Sequence, residues 1–171
     1  GILTIKRMFT AVSGASFVNN TTEAQSNDAG QTAFKLFQGP TVTVDEAYIG
    51  MPAKLDRTTF GFGTPGVQNA AITLAWEYWN GTAWTALSGL VDGTSELTAN
   101  GKVTWTIPGN WATTAVNAVT CYWIRVRFTA GSWTTNPLMN YLTVTGWTKP
   151  FVDAANQGAF QQGGGNMIYL S

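Results

Sequence analysis

The chain has 171 residues, nine Lys or Arg against nine Asp or Glu, no histidine and one cysteine, and only 11% of it is charged. That length suits one domain with a full core, and 44% hydrophobic residues exclude a disordered chain. A net charge of zero excludes the positive field that gathers nucleic-acid phosphates, and no apolar run approaches the roughly 20 residues of a membrane span.

In chain order, residues 13–33 hold Ser, Asn, Thr, Gln and Gly with few large apolar groups, and are expected to form an extended arm or loop. Weak strands are expected at 41–44 and 58–62. Gly61, Gly63 and Gly66 spell Gly-x-Gly-x-x-Gly, but Pro65 and the strand-like run after it deny the helix that a phosphate-binding version must open, so they are read as a loop between strands. Residues 72–79, ITLAWEYW, alternate strictly, with Ile72, Leu74, Trp76 and Tyr78 on one face and Thr73, Ala75, Glu77 and Trp79 on the other. Asn80-Gly81 follows, the pair that best tolerates the positive φ angles of a type I′ hairpin, so a return strand through Trp84 and Leu87 is expected.

The loop 92–96 offers Asp92 and Glu96 but lacks the further acids of a calcium loop, and is read as a turn. A strand over 102–107 points Val103, Trp105 and Ile107 inward and ends at Pro108-Gly109. Residues 110–117 are expected to form one helical turn capped by Asn110. The strand 121–129 sets Tyr122, Ile124, Val126 and Phe128 against Trp123, Arg125 and Arg127, leaving two guanidinium groups side by side on the outer face. A weak strand follows at 141–145, and residues 153–166, rich in Asn, Gln and Gly, read as a second arm.

No segment keeps a 3.6-residue apolar period over three turns, which excludes a helical fold. Short alternating strands separated by Gly, Asn and Pro turns predict an all-β, antiparallel β-sandwich with extended N- and C-terminal arms. The expected division is an N-terminal arm with a first strand over 1–40, a sandwich core over 41–150 and a C-terminal arm over 151–171.

The absence of histidine removes Ser-His-Asp and Cys-His triads and His-ligated zinc. Cys121 lies within a strong strand and is expected to be a structural thiol that forms no disulfide within the chain. Among the carboxylates Glu77 has the best claim to acid–base work, since nearby Trp rings can raise a pKa, yet its place opposite the core face predicts an exposed carboxylate. A non-enzymatic chain without cofactor or metal is therefore expected. Its adhesive groups are the apolar ends Ile2, Leu3, Ile5, Met167, Ile168, Tyr169 and Leu170 and the tryptophans. Period-2 reading puts Trp79 and Trp123 on outer faces, and places Trp84, Trp111, Trp133 and Trp147 near turns. Such rings either anchor a protein interface or stack on sugars, unless a second layer of structure covers them.

The stretch WEYWNGTAWTAL at 76–87, followed by VTWTIP, a Trp-containing connection and CYWIRVRF, resembles a succession of motifs found in structural proteins of tailed bacteriophages, over about residues 48–145. The resemblance implies a jelly-roll-like sandwich in a head, neck, tail or baseplate component, with no catalytic residues. For a short chain with polar ends it implies a capsid decoration or cement protein, assembled in the host cytoplasm and resident in the virion. Partners would be the major capsid protein or other virion proteins, in a symmetric homo-oligomer such as a trimer. The alternative is a carbohydrate-binding adhesin, or a tail or baseplate module, that uses Trp79, Trp84 or Trp133 on a glycan.

Overall fold

The computed structural model describes residues 5–26, 33–41 and 44–144. The elements in chain order are β1 (Arg7–Val12), β2 (Ala15–Asn19), α1 (Thr21–Gln25), β3 (Phe34–Lys35), β4 (Asp45–Met51), β5 (Arg57–Thr64), β6 (Val67–Trp79), β7 (Trp84–Ala86), β8 (Val91–Asp92), β9 (Gly101–Thr104), β10 (Thr114–Val116), β11 (Val119–Thr135) and β12 (Leu138–Thr143). A seven-stranded sheet runs β2-β1-β4-β11-β6-β7, with β10 paired to β11, and a five-stranded sheet runs β3-β12-β5-β9-β8. All pairings are antiparallel.

The fold is an antiparallel β-sandwich, and alternation explains why. The large sheet sends Met8, Ala47, Ile49, Trp76, Ile124, Val126 and Phe128 inward, where they meet Phe60, Val103, Met139 and Leu142 of the small sheet. Phe60 sets its ring edge-to-face on Trp76 across the two layers, with centroids 5.7 Å apart. The strands read most strongly from sequence form the centre: β6 and β11 pair through Ile124↔Tyr78 and Val126↔Trp76. Their far ends slip register, and Gly131, at φ +97°, lies in this irregular stretch.

Several expectations change. Much of the polar stretch 13–33 is not an arm: β2 and α1 fold within it, with Ala24 fully buried and the Gln25 amide donating to the Ile5 carbonyl at 2.8 Å. Phe17 and Val18 are the only large apolar groups of β2 and point to opposite faces, too short a run to signal a strand, and β2 is held by pairing to β1. An arm-to-core boundary at residue 40 therefore does not describe the chain, because β1, β2 and β3 belong to the sandwich. Of the strand expected at 41–44, Thr41 bridges Ser132 and residues 42–43 are outside those described.

Asn80-Gly81 does not form a two-residue turn. Trp79 pairs with Trp84 across a four-residue loop in which the Asn80 side-chain oxygen accepts the Thr82 and Ala83 amides, each at 2.9 Å. Residues 110–117 are not helical: their last part is β10, because Thr and Val favour the ladder with β11 over a helical turn. Ile107 is 43% exposed, since β9 ends at Thr104 before alternation reaches it. Gly61 and Gly63 lie inside β5, and only Gly66 is in the link to β6. Residues 92–96 do form a turn, tied by the Asp92 carboxylate accepting the Thr94 and Glu96 amides.

Candidate functional site: the outer face of the large sheet

Three strands set the chemistry of the face turned away from the main core. In β4 the outward residues are Glu46, Tyr48 and Gly50, and register places them opposite Arg127, Arg125 and Trp123 of β11. On the far side of β11, Arg125 faces Glu77 of β6, and Trp79 faces Trp84 of β7. Alternation thus lays out an aromatic cluster, a charged row and an aromatic cleft.

The cluster gathers Phe9, Ala11, Tyr48, Val116, Cys121 and Trp123. Trp123, expected on an outer face, is fully buried there. Gly50 makes the room, since a Cβ on it would meet the Trp123 ring at 3.0 Å and the Cys121 sulfur at 2.9 Å. The β10–β11 hairpin closes over the top, and the Trp123 indole N–H donates to the Thr114 carbonyl at 3.0 Å. Burial pushes the Cys121 thiol up to about 11, against the pull of Lys6 and Arg7, so it stays a neutral structural group.

In the charged row, Glu77 accepts the Arg125 Nε–H at 2.7 Å and the Arg127 Nη2–H at 2.5 Å. Glu77 was expected to be exposed but is buried, because β7 and both arginines surround it. Burial alone would raise its pKa; the hydrogen bonds from Arg127 and Arg125 outweigh burial and hold the carboxyl below the usual range. A carboxylate so firmly ionised is poorly suited to proton donation near neutral pH. Glu46 Oε1 accepts the Tyr48 hydroxyl at 2.9 Å and the Gly14 amide at 2.8 Å. Burial, and then the Glu46 carboxylate, raise the Tyr48 phenol to about 12.

The cleft has a volume of about 340 Å³ and is walled by Phe17, Tyr48, Trp79 and Trp84. Trp79 and Trp84 meet edge-to-face at 5.6 Å, and the Arg125 guanidinium lies 4.6 Å from the centre of the Trp84 ring. Two hairpin turns frame the opening. Ser13-Gly14 and Asn117-Ala118 both have positive φ at each central residue, the backbone of type I′ turns. Neither the Trp79 nor the Trp84 indole N–H donates to a partner among the described residues, unlike the indoles of Trp105 and Trp123.

Of the groups read as adhesive from sequence, Trp79 and Trp84 come together here, both half-buried. Trp133 does not join them: it is 3% exposed and packs on Phe128 at 5.9 Å. Trp111 is buried against Tyr78 and Tyr122. Ile5 is 1% exposed in the main core, so it is no free apolar tip. Ile2, Leu3, Trp147, Met167, Ile168, Tyr169 and Leu170 lie outside the described residues. Phe17 and Tyr48 were missed: Phe17 has only Val18 beside it in a polar stretch, whereas the alternation of 45–51 carried a signal for Tyr48. Among the described residues, no three His, Cys, Asp or Glu side chains gather to hold a metal. The sequence matches no protein-family model and no curated protein.

Proposed function

We propose that this chain is a non-enzymatic structural protein of a tailed-bacteriophage particle. In this reading it is a head decoration or cement protein that grips the major capsid protein or other virion proteins as a symmetric homo-oligomer. The observation that carries the reading is the open edge of the large sheet. β2 is its outermost strand and pairs only with β1 among the described strands. Around this hairpin Val12, Val18 and Val44 are 37%, 51% and 58% exposed. An uncovered strand offers a row of N–H and C=O groups to a neighbour's strand, and nearby valines gain from being buried with it. Low charge lets copies and partners approach closely.

The phage assignment draws on the motif succession, whose Trp76–Trp79, Val103–Pro108 and Tyr122–Arg127 portions fall on or beside β6, β9 and β11. The same likeness implies jelly-roll-like winding of the two sheets. Within this reading a head position is proposed first, with a tail or baseplate position as the alternative.

The test is a density map of purified particles, with mass spectrometry to establish the chain's presence. The expected result is the chain on the particle with β2 extended by, or packed on, a neighbouring subunit, and loss of incorporation in a Val18→Lys variant that still folds. A chain missing from purified particles, or bound with β2 facing solvent, overturns the proposal.

A further inference from the structure

We propose that the aromatic cleft is a binding site for a neutral pyranose oligosaccharide with equatorial hydroxyls. This capacity stands apart from the edge-strand reading, because it lies on the sheet face and uses other residues.

The argument starts from what the cleft lacks and what it leaves unused. Its walls carry no ionised group. The nearest charges are already engaged: Arg125 with Glu77, and Glu46 with Tyr48 and the Gly14 amide. A charged ligand would have to displace these bonds, so the occupant is uncharged. A purely apolar occupant fits no better, since the lining also carries Thr114 and Asn117, and the indole N–H groups of Trp79 and Trp84 have no acceptor among the described residues. The remaining chemistry is amphipathic: a flat C–H surface for the rings and hydroxyl groups for the donors. A pyranose with equatorial hydroxyls has this form. Its ring C–H bonds lie on the faces and its hydroxyls point outward around the edge. Trp79 and Trp84, held edge-to-face, make a corner that meets such a ring on one face and one edge. The volume of about 340 Å³ is at the small end of ligand pockets and takes a short oligosaccharide. The site is also preformed. Tyr48 and Phe17 brace one another at 5.9 Å, Tyr48 and Trp84 at 5.7 Å, and the Arg125 guanidinium lies over the Trp84 ring.

Titration of the full chain with cellobiose and with N,N′-diacetylchitobiose, followed by amide and indole NMR signals, tests the proposal. The expected result is a saturable shift of the Trp79 and Trp84 indole N–H signals and of Asn117, with affinity about tenfold weaker in Trp79→Ala and unchanged in Trp133→Phe. If Trp79→Ala fails to fold, the mapping on the unaltered protein and a Phe17→Ala variant carry the same test. Indole signals that stay fixed with both sugars at tens of millimolar overturn the proposal. So do shifts confined to residues outside the cleft, unchanged affinity in folded Trp79→Ala, or sedimentation showing that a second copy of the chain or a peptide, and not sugar, fills the cleft. A chain missing from purified particles, or bound there with β2 facing solvent, while sugar binding is intact would count against the edge reading alone.

Discussion

The two faces of the large sheet share the same strands and differ in almost everything else. The inner face is a continuous apolar layer, sealed by the small sheet along its length. The outer face alternates with it residue by residue, yet it interleaves Phe9, Tyr48 and Trp123 with Glu77, Arg125 and Arg127 and then opens into a cleft. A whole sheet covers the inner face, whereas the β10–β11 hairpin, Phe17 and Trp84 cover the outer cluster. The difference teaches that the face opposite a core is not a solvent face by default. It is buried wherever a hairpin is long enough to fold back, and left open just beyond that hairpin's reach.

The largest effect that probes this contrast is truncation of one buried ring on each face. Phe128→Ala on the inner side and Trp123→Ala on the outer side should each cost about 3–5 kcal/mol in urea unfolding, because both rings are essentially fully buried. If the outer cluster were a veneer over solvent, Trp123→Ala would cost only about 0.5 kcal/mol or less, the usual surface value.

The charged row comes next. Glu77→Gln leaves two arginines facing a neutral group. Arg127 is 37% exposed and can turn to water while Arg125, at 16%, cannot do so fully. A loss of about 2 kcal/mol at neutral pH is expected, below the cost of breaking a fully buried pair. The sign with pH follows from the lowered carboxyl. Its stabilisation is complete above the ordinary value of 4.5 and disappears as pH falls through the lower folded value. Unfolding midpoints measured from neutral down to about pH 3 should therefore fall more steeply for the native protein than for Glu77→Gln. Parallel curves would mean that the three side chains are not coupled.

How far these faces were legible in the sequence depends on how much of each signal was local. Ile72, Trp76, Val126 and Phe128 announced the inner face because period 2 is written into consecutive residues. The same alternation put Trp123 and Glu77 on the opposite face correctly, but it carries no record of what lies above that face. Their burial comes from the neighbouring hairpin strands β7 and β10, whose packing over the face period 2 does not record, and from the missing side chain of Gly50, which is distant in sequence. Trp79 and Trp84 were legible as neighbours across a turn, whereas Tyr48 and Phe17 join them only through pairing of β4, β1 and β2. The type I′ turns were missed for a similar reason. Asn80-Gly81 carried the favoured pair, but its side chain captured the Thr82 and Ala83 amides and opened a longer loop. Asn117-Ala118 carried a weaker pair and makes the tighter turn.

That weaker pair supplies the smallest effect and locates strain on the outer face. Ala118 sits at φ 65°, where an L residue with a Cβ is disfavoured, and Asn117 at φ 47° tolerates the region better. Both are exposed, so no packing in the chain accounts for the methyl group of Ala118. Ala118→Gly should relieve the turn and raise stability by about 0.5–1 kcal/mol, the relief being partly offset by the greater freedom glycine gives the unfolded chain. Thermal unfolding would register this as a rise of a few degrees, with sugar binding unchanged or slightly tighter because the hairpin that frames the cleft is better held. A destabilised Ala118→Gly variant would mean that the turn gains more from alanine's restriction of the unfolded chain than it loses to the left-handed backbone. The strain would then be too small to distinguish the hairpin over the outer face from the unstrained pairing of the inner one.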